Sequence, residues 1–172
     1  LGTGTYPIPL TVFRIWDAQH SNLPGTAAND DLALITGTIG TASPSLQTAD
    51  AKAGSVTQYA RGQIIVPSLY NDGTDVQVIL EAGMVTTVSD GTATIDVEAF
   101  RNGAGDDLVV EAAQSINSLT ASDKTFTLTG TTLVPGDMID LRLTIAITDS
   151  ATETAVIGSV VDADAKFCGY GA

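Results

Sequence analysis

The sequence predicts an all-β fold, an antiparallel β-sandwich best matched by an eight- to nine-stranded jelly roll. Three observations carry that expectation. Apolar and polar residues alternate with a period of two, most cleanly within Leu133–Asp149. There Ile139, Leu141, Leu143, Ile145 and Ile147 fall on one side, against Asp140, Arg142, Thr144, Ala146 and Thr148 on the other. Turn residues punctuate the chain at short intervals, as in Asn71-Asp72-Gly73, Asn102-Gly103 and Pro135-Gly136-Asp137. Finally, polarity comes from Thr, Ser, Asn and Gly rather than from charge, which makes up only 16% of the residues.

Taken in order, the segments read as follows. Leu10–Asp17 alternates and is expected to be the first strand, followed by a long loop over Ala18–Asp31 that suits a Greek-key crossing. Leu32–Ile39 is the second strand. Pro44–Ala53 is expected as a helix, with Ser43 as N-cap, Pro44 at the first helical position and Gly54 as terminator. Ala60–Pro67 is a strand whose proline stops pairing or marks an edge. Beyond the Tyr70–Asp75 turn, Val76, Val78, Leu80 and Ala82 share one strand face. Ile95, Val97 and Ala99 then alternate with Asp96, Glu98 and Phe100, and Asn102-Gly103 closes that strand with residues that tolerate positive φ. Asp107–Ala113, Lys124–Gly130, the strand of Leu133–Asp149 and Ala155–Ala165 complete the series.

At 172 residues the chain fits one domain, with 1–9 and 166–172 as extended arms able to reach neighbouring subunits. Acidic residues outnumber basic ones by 20 to 7, for a net charge of −13. Lys52, Arg61, Arg101, Lys124, Arg142 and Lys166 are scattered, with no basic run. Nucleic acid and anionic membrane surfaces are therefore not expected partners. No apolar run approaches the roughly 20 residues a bilayer-spanning helix needs. The chain opens on Leu rather than Met, and its first residues carry no basic n-region, so a secretory leader is not expected in this segment. Cys168 is the only cysteine, which rules out an intramolecular disulfide and leaves an inert free thiol as the expectation.

Chemistry is sparse. His20 is the only histidine, and Ser21 and Asp17 beside it in sequence are poor triad partners, since triad members converge from different elements. One histidine also cannot supply the metal set of a jelly-roll oxygenase. Asp96 and Glu98 project from one strand face and are the candidate carboxylate pair for glycoside chemistry. The expectation is instead a solvated face balanced by Arg142 or Arg101. Calcium needs only oxygen ligands, and Asn71, Asp72 and Asp75 are the foremost weak candidates. Asn29–Asp31, Gly105–Asp107 and Asp162–Asp164 follow them, none with EF-hand spacing. Trp16 is the only tryptophan and the four tyrosines are dispersed, which counts against an aromatic platform for sugars. No catalytic residue and no cofactor are expected.

The stretches ARGQIIVPSLY, EAGMVTTVSDGTATIDVEAF, AAQSINSLT and LVPGDMIDLRLTIAITDSATETAVIG cover about 100 of the 172 residues. Over them the chain resembles proteins met in tailed-phage genomes and prophage-like regions. The resemblance implies a virion structural protein, a jelly-roll decoration (cement) protein on the outer surface of a phage head. It implies a homotrimer that braces junctions between major capsid protein subunits, and it brings no site residue with it. The alternative is a carbohydrate- or calcium-binding β-sandwich module of a secreted or tail-associated protein.

Overall fold

The computed structural model describes residues 2–151 and 155–170, with the side chains of 168–170 left aside. The inert-thiol expectation for Cys168 lies outside the described side chains. Among the described residues there is no α-helix; a single 3₁₀ turn spans Leu10–Val12. Ten strands form two antiparallel sheets. They are β1 (Gly2–Pro7), β2 (Ala33–Ile35), β3 (Ser45–Gln47), β4 (Ser55–Ile65), β5 (Val76–Thr86), β6 (Gly91–Arg101), β7 (Gln114–Ser115), β8 (Ser122–Leu128), β9 (Met138–Asp149) and β10 (Ile157–Tyr170). The larger sheet runs β2-β3-β10-β5-β8, with β1 also paired to β10; the smaller runs β4-β9-β6-β7. This is the jelly-roll type of β-sandwich that the periodicity predicts.

The alternation works as expected where it is strictest. Ile139, Leu141, Leu143, Ile145 and Ile147 are all buried, as are Ile95 and Val97 on β6. Facing them from the other sheet are Val76, Val78 and Leu80 on β5, Phe126 on β8, and Ala163, Ala165 and Phe167 on β10. Each large aliphatic side chain so buried is worth about 1.5–3 kcal/mol. Strand β10 changes phase partway along, since Val160 and Ala163 are both buried. A register shift against β5 between Val160 and Asp162 supplies the extra residue that the change of phase needs.

Three expectations are corrected. Leu10–Asp17 is not a strand: its first residues form the 3₁₀ turn, only Phe13 is buried, and within it only Arg14 makes a β-bridge. Phe13 is 1% exposed and packs where a Cβ on Gly62 would stand 2.9 Å from its ring. That packing pins the segment against β4. Pro44–Ala53 is not a helix, because Leu46 is fully buried in β3, paired to Leu34 and Val160, and a tertiary contact outweighs a weak local preference. Asp107–Ala113 is largely irregular, touching β8 through Val109 and Val110. The end segments also have a place in the sheet: Gly2–Pro7 pair with residues of β10 between Asp164 and Tyr170.

Candidate functional site

The outer face of the smaller sheet carries the most organised group of polar side chains. Strand register sets it out in transverse rows. Arg61 of β4 lies opposite Arg142 of β9, which lies opposite Glu98 of β6. One row over stand Gln63, Asp140 and Phe100; on the other side stand Tyr59, Thr144 and Asp96. Directly opposite residues share a sheet face, so these nine side chains project together.

Two ion pairs hold the charged members. Arg61 Nε donates to both carboxylate oxygens of Asp140, at 2.9 and 3.1 Å, with Nη2 completing a fork. Arg142 pairs through Nε and Nη2 with Glu98. Asp140 is 5% exposed, so the Arg61 guanidinium supplies the hydrogen bonds that water cannot. The Arg142 guanidinium also stands 5.4 Å from the Trp16 ring centroid and 5.2 Å from that of Tyr59, within cation–π range. Trp16 and Tyr59 are themselves 5.2 Å apart, and the indole N–H donates to Asp30 Oδ2 at 2.8 Å, which fixes the ring. Burial pushes the Asp96 carboxyl above its ordinary range; the Val97 N–H opposes the shift, and Glu98 and Asp107 add to it.

A cleft of about 420 Å³ opens over these rows. Trp16, Phe100, Arg61, Asp140 and Arg142 line it, with Asp17 and the Gly103–Gly105 turn at its rim. Its size falls in the usual range for small-ligand sites. The turn is shaped by Asn102 and Gly103, whose φ angles of 51° and 74° are positive, as the Asn-Gly pair predicts.

The other candidates are dispersed. His20 is exposed, and none of its hydrogen bonds reaches Ser21 or Asp17; the Ser21 N–H donates to the Ala18 carbonyl. Asp96 and Glu98 share their face as expected, and Glu98 is engaged by Arg142 rather than by Arg101, which pairs with Asp137. Asn71, Asp72 and Asp75 form a turn in which Asp75 accepts the Gly130 N–H and the Asn71 carbonyl accepts the Thr74 hydroxyl. Asp30, Asp107 and Asp162 likewise accept bonds from Trp16, from the Ala99 and Val109 N–H groups, and from the Ala163 N–H. Among the described residues no group of three or more His, Cys, Asp or Glu is placed to hold a metal ion. Trp16 and Tyr59 are the residues that sequence reasoning missed. They are 43 positions apart, and nothing local marks them as neighbours.

No protein-family model and no curated protein sequence matches the chain. Among solved structures, the xylan-binding module CBM15 aligns over 99% of this chain and 100% of its own, with a TM-score of 0.53 and 12% identity. An arabinose-bound GH51 α-L-arabinofuranosidase aligns over 94% of this chain, which spans 23% of that enzyme, with a TM-score of 0.45 and 16% identity. An infectious bursal disease virus structure aligns over 95% of this chain and 31% of its own, with a TM-score of 0.44 and 15% identity. At these identities the likeness concerns the fold, and it is the xylan-binding module that carries it.

Proposed function

We propose that this β-sandwich is a non-catalytic carbohydrate-binding module whose ligand occupies the cleft beside Trp16. The observation that supports this most is the composition of the cleft wall. Aromatic faces from Trp16 and Phe100 stand beside the Arg61–Asp140 ion pair and the Arg142 guanidinium, which Glu98 holds in position. Sugars present apolar C–H faces that stack on such rings. Their hydroxyls both donate and accept, so adjoining guanidinium and carboxylate groups satisfy them together. The xylan-binding module with the same sandwich is in keeping with this reading.

Affinity electrophoresis through gels containing soluble xylan, galactan or pectin tests it. The wild-type chain should be retarded by at least one polymer. Trp16→Ala should cut that retardation at least tenfold, while the melting temperature moves by only a few degrees. Absence of retardation on every polymer, or retardation that Trp16→Ala leaves unchanged, would remove the proposal.

A second reading, a trimeric decoration protein on a phage head that contacts the major capsid protein, draws on a different surface. Val85, Leu119 and Val161 are 50%, 70% and 38% exposed and border one shallow depression on the larger sheet. Val85 and Val161 both fall at register shifts between β5 and β10. An apolar patch of this kind suits self-association. Mass measurement by light scattering separates the two: a trimer favours the decoration reading, and a monomer removes it.

A further inference from the structure

We propose that the cleft continues past Arg61 into an anion subsite centred on Arg14, and that the ligand is therefore an acidic glycan, bearing carboxylate or sulfate groups, rather than a neutral one. This rests on the carbohydrate reading of the cleft. Its grounds are a row of charges and a second depression.

The chain has four arginines, and three of them stand in one transverse row. Arg14 and Arg61 exchange both backbone hydrogen bonds, at 2.8 and 3.0 Å, and Arg61 lies opposite Arg142. Residues so paired lie on the same face of the sheet, about 5 Å apart from strand to strand. Two members of the row are neutralised, by Asp140 and Glu98. Arg14 is not: its guanidinium donates to the Asn22 side-chain oxygen, a neutral acceptor, and among the described residues no carboxylate stands within ion-pair distance. The other three arginines each hold a carboxylate, so among the described residues Arg14 is the arginine whose guanidinium is left for an outside anion.

The surroundings of Arg14 match an anion. It lines a depression of about 320 Å³ with Val12, Gln19, His20 and Gln63, which together present guanidinium, imidazole and amide donors and no carboxylate. Gln63 lies directly opposite Asp140 of the main cleft, so the two depressions adjoin across neighbouring strands. A chain seated against Trp16 would carry its next substituent toward Arg14. The overall charge of −13 repels polyanions at long range, so attraction must come from this row at contact distance. That same charge makes non-specific polyanion binding a poor explanation for any affinity observed.

The test compares wild type with Arg14→Gln on three soluble polymers: polygalacturonate, dextran sulfate and a neutral galactan, with affinities from isothermal titration. Wild type should bind one of the anionic polymers at least tenfold more tightly than the galactan, and which one identifies carboxylate or sulfate as the group recognised. Arg14→Gln should erase that margin and leave galactan binding unchanged. Equal affinity of wild type for all three, or an equal loss on all three in Arg14→Gln, overturns the subsite and leaves the carbohydrate reading standing. If none of these polymers binds and xylan does not either, the carbohydrate reading falls and the subsite is decided alone by NMR titration with glucuronate, sulfate and glucose. Shifts at Arg14 Nε–H and His20 with either anion but not with glucose support it; their absence overturns it.

Discussion

The two outer faces of the sandwich are built on the same backbone rule and handle charge differently, one balanced by ion pairs and the other bearing, among the described residues, an unpaired acidic row. On the smaller sheet, register lines up Arg14, Arg61 and Arg142, with acidic partners for two of them. On the larger sheet, Asp162 of β10 lies opposite Glu81 of β5, which lies opposite Asp123 of β8. Three carboxylates thus stand side by side, and no salt bridge joins any of them to a cation among the described residues. Like charges directly opposite one another cost stability, so that face bears a local penalty. The arginine face is held by ion pairs, aromatic contacts and a cleft. The difference teaches that net charge described the larger sheet correctly and concealed the character of the smaller one.

The largest expected effect removes the core that supports both faces. Leu143→Asp places a charge among the buried residues of both sheets, where Leu143 is 1% exposed, and should abolish cooperative folding as seen by circular dichroism. Arg142→Ala, one residue earlier and on the outer side, should keep the fold. A normally folded Leu143→Asp chain would show that β9 is wrongly placed.

An intermediate effect separates the faces by pH. Burial acts to raise the Asp137 carboxyl, but the Val134 N–H, Arg101 and Asn102 outweigh it and hold it below its ordinary value of 3.8. The stability this provides is fully present above pH 3.8 and is lost as pH falls through the lower folded value. Asp164, beside the acidic row, behaves oppositely. Burial, with Asp162 and Asp123, raises it above 3.8, so its protonation favours the folded state and stability rises as pH falls toward 3.8. Denaturation midpoints should therefore climb slightly on mild acidification and drop below pH 3.8. Asp164→Asn should flatten the climb, and Asp137→Ala should cost about 2 kcal/mol at neutral pH and soften the drop. The smallest effect is Glu81→Gln, which relieves the acidic row and should stabilise by a few tenths of a kcal/mol in dilute buffer, fading in high salt.

The legibility of each feature follows its range along the chain. Strands β4, β5, β6 and β9 could be read because each is 11 or 12 residues long, and over much of that length the side-chain period tells inner from outer residues. Ser45–Gln47 could not, since three residues carry no period and one of the two strands that place Leu46, through Val160, lies over 100 positions away. Asp96, Glu98 and Arg142 were legible as one balanced face, whereas the Arg61–Asp140 pair spans 79 positions. Arg14 and Trp16 looked like part of a first strand. Their display on the arginine face depends on Phe13 meeting a glycine in β4, a fact of packing that no pattern within residues 10–17 contains.

Strand β10 comes after the other nine in the chain yet stands in the middle of the larger sheet, touching β1, β3 and β5. As the polypeptide leaves the ribosome, β1, β2 and β3 have no central strand to join until residues 157–170 emerge, although β4, β9 and β6 can already pair. Synthesis therefore completes the arginine-bearing sheet first, and its apolar side is not fully covered until Ile157–Tyr170 joins β1 and β3 to β5.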